Sequence, residues 1–458
     1  MASSSSAGPP AVRVVEQCRI SPGPDGPFGD VSIPITFFDV PWLENHPFAA
    51  SALPRFKRSL SLVLRHYYPL AGRVRRRVVP GAASNKVDDV FCTDGDYVPF
   101  TLAELCADDD GGGGRCYFDH LAGDHPRQVE SFRPLVPEIP ESFLMVLQVT
   151  VFQGAGVCID VSISHLACDG CGFVSFLKAW ASVCRSEDNA GSPAGALPVI
   201  DRTLVSGTTA LYRATFDFQK YLTGVARPSV DGNDVVHSTF LLRRSHMEEL
   251  RRRRPLPQPL RYSSFVLTCA YVWVCLLKAH GGQELQTPPP EQGLGDAAHF
   301  MFAVDCRSRL RPPLPAAYFG NCIRPCFVDD RRGDLLGDDG VAHAAEAIAE
   351  SVAHMREDDV LRGAQEWMPM IAARLPRQLL STAGLPRFGV YELDFGWGRP
   401  AKVEVVGIER SGAMALADSR EDDGGIEVGL ALLAPKMAKF SSLFAAGLED
   451  AGGEESRK

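Results

Sequence analysis

The stretch VCIDVSISHLACDG, residues 157–170, decides how the rest of the chain is read. Val157, Ile159, Val161 and Ile163 alternate with Cys158, Asp160, Ser162 and Ser164, the period of a strand with one apolar face. Carried to its end, that alternation puts His165 on the face of the isoleucines, in a semi-dry interior. Asp169-Gly170 is a turn signal. Phe173, Phe176, Leu177, Trp180 and Cys184 then recur at helical spacing, so a helix is expected from about Gly172 to Arg185. His165 and Asp169 therefore sit where a strand hands over to a helix. The H-x-x-x-D spacing alone decides little, because a packed histidine and a turn aspartate read the same way.

Working outward, residues 143–152 and 157–164 form a hairpin across Gln153–Gly156, and residues 13–20 read as a first strand. Residues 53–68 carry helical periodicity through Phe56, Leu60, Val63 and Leu64. The glycine run 108–115 has three aspartates beside it, which would repel phosphate, so it reads as a spacer loop. The polar, Gly/Pro-rich run 186–198 is a linker. Beyond it, Arg243, Arg244 and Arg251–Arg254 read as a solvated helix face, and Ser263 or Ser264 as the cap of a helix running to His280. Strands are expected at 300–304, 402–408 and 426–433, with a last helix after Lys436.

The 458 residues, 45% hydrophobic and 22% charged, are enough for two or three globular domains. A net charge of −9 argues against a nucleic-acid partner. The thirteen cysteines, with no secretory pattern at the start, read as reduced thiols. No targeting segment is legible in MASSSSAGPP, and the longest apolar run, Phe265–Leu277, is too short to cross a bilayer, so a cytoplasmic protein with no membrane partner is expected. Cys168 and Cys171 form C-x-x-C beside a histidine, but no second pair completes a zinc set, so no metal is expected.

With these pieces placed, the chain resembles the plant BAHD acyltransferases along nearly its full length. HLACDG (165–170) and DFGWG (394–398) carry the resemblance. SLSLVLRHYYPLAGR (59–73), SSFVLTCAYVWVCLLK (263–278) and VDCRSR (304–309) support it. ITFFDVPWL (35–43), PVIDRTL (198–204) and YFGNC (318–322) resemble the branch that acylates anthocyanin, flavonoid and phenolic glucosides. The resemblance implies an α/β fold of two CoA-dependent acyltransferase (chloramphenicol-acetyltransferase-like) domains. Each is a mixed sheet flanked by helices, and an active-site tunnel lies at their interface. The expected boundaries are a disordered N-terminus at 1–11, domains at 12–185 and 236–458, and a crossover linker at 186–235.

The resemblance also implies roles. His165 is the general base that deprotonates the acceptor hydroxyl. Asp169 points away from it and pairs with Arg307, with Gly170 allowing a tight backbone turn. Asp394, Gly396 and Gly398 shape a second loop, which Asp394 anchors through an arginine. Trp397 there is either a core plug or an indole donor to the oxyanion. Cys168 as a nucleophile remains a competing reading, though the family transfers directly between two substrates. Some malonyl-transferring relatives place an arginine eight residues after the histidine. Here Phe173 stands there and Cys171 follows the motif's glycine, and both are read as the acyl-donor pocket. Malonyl is the first-choice donor and hydroxycinnamoyl the runner-up. The partners expected are acyl-CoA, as co-substrate rather than bound cofactor, and a phenolic glycoside, on a monomer. An N-acyltransferase and a catalytically dead binding protein on the same fold are the alternatives.

Overall fold

The computed structural model describes residues 12–21, 52–78, 86–105, 113–186, 193, 195–205, 234–253, 262–281, 296–357, 360–377, 379–384 and 386–449. The stretches 1–11 and 35–43, and most of the linker expected at 186–235, lie outside them.

The first sheet is built from β1 (Val12–Ile20), β4 (Val98–Leu105), β6 (Met145–Phe152) and β7 (Gly156–Ile163), in the order β1-β4-β6-β7. A separate ribbon pairs β2 (Arg73–Val78) with β3 (Lys86–Phe91). β6 is apolar at nearly every position and buried at every position, and it runs parallel to β4 and antiparallel to β7. The helix α1 (Leu53–Leu64) is shorter than its periodicity suggests, because the chain tightens into a 3-10 turn around Pro69. Its Phe56, Leu60, Val63 and Leu64 join Trp180 in one core, and the Trp180 indole donates to Ser59 Oγ at 3.0 Å. Gly113–Arg115 are not loop. They open α2 (Gly113–Ala122), whose Leu121 is buried in a small cluster with Phe152 and whose Phe118 packs against it.

The second sheet has seven strands, ordered β10-β9-β11-β12-β13-β8-β5. They are β5 (Arg127–Gln128), β8 (Val235–Leu242), β9 (Ala297–Asp305), β10 (Ile323–Arg331), β11 (Leu380–Ala383), β12 (Met414–Asp418) and β13 (Ile426–Leu433). β11 is parallel to both neighbours and the other pairs are antiparallel, so the sheet is mixed. Its edge strand β5 comes from the stretch expected in the first domain. After α3 (Gly170–Arg185), the helices are α4 (Arg244–Arg253), α5 (Ser264–His280), α6 (Arg332–Leu336), α7 (Gly340–Glu357), α8 (Trp367–Arg374), α9 (Ile408–Ser411) and α10 (Ala434–Glu449). α5 is apolar almost all round and forms the second core, with Trp273 against Phe300 of β9. Ser263 caps it by accepting from Val266 N. Among the described residues no helix is long and apolar enough to cross a membrane.

The strand expected at 402–408 is absent. This segment is held by side chains instead: Lys402 Nζ reaches Asp124 at 2.6 Å and Glu404 accepts from Arg127 at 2.7 Å, while Ile408 opens α9. Alternating Lys-Val-Glu-Val looks like a strand, but its polar members point into a buried ion network rather than to solvent.

Candidate active site

β7 ends at Ile163, where Ser164 N still donates to Leu144 O at 2.7 Å. The chain then makes a turn, closed by Ala167 N to Ser164 O at 3.0 Å. That turn breaks the strand alternation, so His165 does not share the face of Ile159 and Ile163. It is exposed rather than in a semi-dry interior. Its orientation comes from across the molecule. Asn321 Nδ2 donates to His165 O at 2.7 Å, which leaves Asn321 Oδ1 as an acceptor 3.0 Å from His165 Nδ1. Nδ1 must therefore carry a proton, and in the neutral ring the lone pair lies on Nε2.

Asp169 is 2% exposed and does three things at once. Its Oδ1 caps α3 by accepting from Gly172 N at 3.1 Å and takes the Arg307 guanidinium at 2.9 Å. Its Oδ2 accepts from Cys322 N at 2.9 Å. Arg307 is itself buried and also donates to Asp305, Tyr318 O and Gly320 O. Burial works against the Arg307 charge, but the hydrogen bond and charge of Asp169, then those of Asp305, outweigh it and hold the guanidinium above its ordinary range. Asp169 and Arg307 thus pin the loop 318–322 from both sides, and that loop carries Asn321. Asp169 makes no hydrogen bond to His165; it is connected to the imidazole only through Arg307, the loop and Asn321.

Two further clips hold that loop and the His165 turn. Val199 bridges Tyr318, and Arg202 Nη2 donates to Ala167 O at 2.7 Å, inside the His165 turn. The PVIDRTL stretch is therefore docked on the site. Gly170 has an ordinary backbone angle, so the tight turn expected there is not its reason. A Cβ on it would stand 3.0 Å from the Phe388 ring, and its smallness lets that ring approach.

The second motif folds on itself. Asp394 Oδ1 accepts from the backbone N–H of Gly396 (2.7 Å), Trp397 (3.1 Å) and Gly398 (2.9 Å). Gly396 and Gly398 sit at φ 101° and 95°, a region that L side chains avoid. The Gly396 hydrogen bond first, and the other two N–H groups with it, hold the carboxyl below the usual carboxylate range. The expected arginine anchor is different: Arg55 donates to Phe395 O, not to Asp394. Trp397 stacks beside Phe395 and Phe56, and Gly396 lies against Arg185, at the C-terminal end of α3. His165 precedes the N-terminal end of that helix, which at sixteen residues is about 24 Å long. This placement gives no support to an oxyanion contact from Trp397.

α3 shows two faces. Cys171, Val174, Ser175 and Lys178 line a cavity of about 300 Å³, closed on the other side by Arg307, Ser308, Arg387 and Phe388. Phe173, Phe176, Leu177 and Trp180 face the first core. Residues two apart on a helix point about 200° apart, so Phe173 and Cys171 do not share a pocket, and the joint acyl-donor reading fails for Phe173. Cys171 points its thiol to Asp305 Oδ2 at 3.9 Å. Burial pushes Cys168 up to about 12, which keeps its thiol protonated and inert as a nucleophile. Asn321, Arg202 and Phe388 were missed by the sequence reading. Asn321 and Arg202 lie inside motifs noted there, but nothing local marks their contacts with the His165 turn, 156 and 35 residues away.

Over residues 30–446 the sequence matches the Transferase family. It is 34% identical to malonyl-coenzyme A:anthocyanin 3-O-glucoside-6''-O-malonyltransferase of Dahlia pinnata, over 96% of this chain and 98% of that protein. Phenolic glucoside malonyltransferase 1 of Arabidopsis thaliana is 33% identical over 96% and 98%. Coumaroyl-CoA:anthocyanidin 3-O-glucoside-6''-O-coumaroyltransferase 1 of the same plant is 31% identical over 95% and 97%. Among solved structures, vinorine synthase has a TM-score of 0.63 at 22% identity, covering 94% of this chain and 98% of that one. TRI101 of F. sporotrichioides, complexed with coenzyme A and T-2, has a TM-score of 0.58 at 14% identity, covering 86% and 90%. These two likenesses show the fold.

Proposed function

The chain belongs to the Transferase family, the BAHD acyltransferases, and from that premise we propose that it moves an acyl group from acyl-CoA to a hydroxyl of a phenolic, flavonoid or anthocyanin glucoside. The observation that carries the reading is His165, held through Nδ1 by Asn321 with Nε2 left as a base. The acceptor hydroxyl gives its proton to His165 Nε2 as its oxygen attacks the thioester carbon. The tetrahedral intermediate collapses, the C–S bond breaks, and the CoA thiolate takes the proton back from the imidazolium. Asn321 Oδ1 accepts from Nδ1–H throughout, which keeps the ring aimed and favours the charged form at the intermediate. Asp169 and Arg307 are positioning residues that act through the loop 318–322.

Malonyl-CoA is the donor we put first, supported by the malonyltransferase relatives. Coumaroyl-CoA is the second reading, supported by the coumaroyltransferase relatives. The test is a matrix of malonyl-, acetyl- and coumaroyl-CoA against flavonoid, anthocyanin and simple phenolic glucosides, read by mass shift. Transfer of one acyl group to a glucoside supports the reading. Turnover of an amine but of no glucoside would replace it with N-acylation, and no turnover with any donor would leave a binding protein.

A further inference from the structure

The cavity beside α3 contains two cations that the proposed chemistry does not use. Lys178 and Arg387 both line it, and among the described residues neither is held by a hydrogen bond or ion pair. Neither nearby acid forms an ion pair with them. Asp305, which also lines the cavity, is tied to Arg307 at 3.0 Å, and the exposed Glu392 carboxylate lies beside Gly389 near Lys178 without forming an ion pair with it. Val174, Leu314, Ala316 and Phe388 supply apolar wall, and Ser175 and Ser308 add hydroxyls. Unpaired cations over an apolar floor fit an aromatic ring that carries an anionic group. A phosphate gains nothing from such a floor.

Position decides which anion. Gly170 and Phe388 touch, which puts one end of the cavity next to the His165 turn. Lys178 lies eight residues further along α3, about 12 Å of helix. The carboxylate of a malonyl group is two carbons from the carbon under attack and stays near His165. An aglycone, with a whole sugar between it and the reacting hydroxyl, extends to this distance. We infer that the cavity holds the aglycone of the acceptor, and that Lys178 and Arg387 select an aglycone carrying a carboxylate or phenolate. This rests on the glucoside-acylating reading above and sharpens it: an anionic phenolic glucoside is favoured over a cationic flavylium glucoside.

The test compares phenyl glucoside with carboxyphenyl glucoside as acceptors at saturating acyl-CoA, in the whole protein. The readout is the ratio of their kcat/KM values. The wild type should favour the carboxylated acceptor by about tenfold or more, the range of one or two charge-assisted hydrogen bonds. Arg387→Ala and Lys178→Ala should each lower that ratio by roughly tenfold, with Arg387→Lys retaining part of it. Both side chains are exposed, so folding is not at stake, and circular dichroism checks it. An absent wild-type preference, or variants that change both acceptors alike, overturns the inference. So does a loss confined to the KM for acyl-CoA, which would assign the cations to CoA phosphates. If no glucoside is acylated, the parent reading fails, and calorimetry then decides this one. Carboxyphenyl glucoside binding that weakens in Arg387→Ala supports it, and no binding to the wild type overturns it.

Discussion

At the scale of single residues, the two on which the proposed chemistry rests differ in how visible they are. His165 is announced by its motif. Asn321 is not, because a hydrogen bond between residues 156 apart leaves no local pattern. His165→Ala should lower kcat by at least about 10², the lower end for losing a general base. Asn321→Ala should lower kcat by roughly tenfold to a hundredfold, less than the loss at His165, with the KM for acyl-CoA little changed. Asn321→Asp, which keeps the acceptor oxygen, should recover much of that loss. Equal activity in wild type and Asn321→Ala would show that the imidazole does not depend on it. Asp160 carries a different cost. Burial pushes its carboxyl from 3.8 up to about 6, with the Ser162 hydroxyl pulling the other way. The folded protein therefore binds a proton that the unfolded chain has released, and Asp160 removes stability as pH rises from about 4 to 6. The full cost, on the order of 3 kcal/mol, is present above pH ~6. Asp160→Asn should raise the urea midpoint at pH 8 and leave it nearly unchanged at pH 4. A variant no more stable at pH 8 would place the carboxylate in a better-solvated environment than its burial indicates.

At the scale of elements, the hairpin β6–β7, the strands β1, β9 and β13 and the helices α3 and α5 were legible, because each shows a period or an unbroken apolar run bounded by a cap or turn. Gly113–Arg115 and 402–408 were not. Glycines hid a helix start in one case, and in the other an alternating pattern served a side-chain network rather than a sheet. The site residues on α3 show the same limit. Two neighbouring positions were assigned to one pocket, but helix geometry separates them. Phe173 belongs to the core stripe with Phe176 and Trp180. Phe173→Arg should therefore act on stability. Removing a largely buried ring and placing a charge there should cost roughly 3–5 kcal/mol, read from the urea midpoint, with the malonyl-to-coumaroyl ratio of kcat/KM unchanged. A ratio that shifts toward malonyl in a well-folded variant would return Phe173 to the acyl pocket. The Asp394 loop was legible as a glycine turn, and its self-capping by three N–H groups explains why an acidic residue must start it. Its arginine partner was not legible, because Arg55 bonds the backbone of the loop and not the carboxylate.

At the scale of the whole molecule, the two sheets are tied together at two separate places. One tie is the Asp169–Arg307 pair, 1% and 4% exposed, which joins the start of α3 to the end of β9. The other is Arg127, 0% exposed, which leaves the first half of the chain as strand β5 and pairs with Glu404 at 2.7 Å. Around it, Lys402, Glu427 and the Tyr391 hydroxyl extend the network to the segment that precedes the Asp394 loop. Breaking a buried pair leaves an uncompensated charge, at about 3–5 kcal/mol. Asp169→Ala and Arg307→Ala should each lose about that much, and the double variant should be no worse than the poorer single one. Arg127→Ala shares no partner with Arg307, so its loss should add to that of Arg307→Ala. Activity separates the two ties. Arg307→Ala frees the loop 318–322 and with it Asn321, so kcat should fall even in the fraction that remains folded. Arg127→Ala should lower the unfolding midpoint while kcat of the folded protein stays near wild type, since among the described residues nothing in its network touches the His165 turn. Urea titrations, with kcat measured at several enzyme concentrations and corrected for the folded fraction, distinguish these outcomes. If Arg127→Ala lowers the corrected kcat as much as Arg307→Ala does, the two ties work as one unit and the site depends on the whole interface rather than on the loop it is built from.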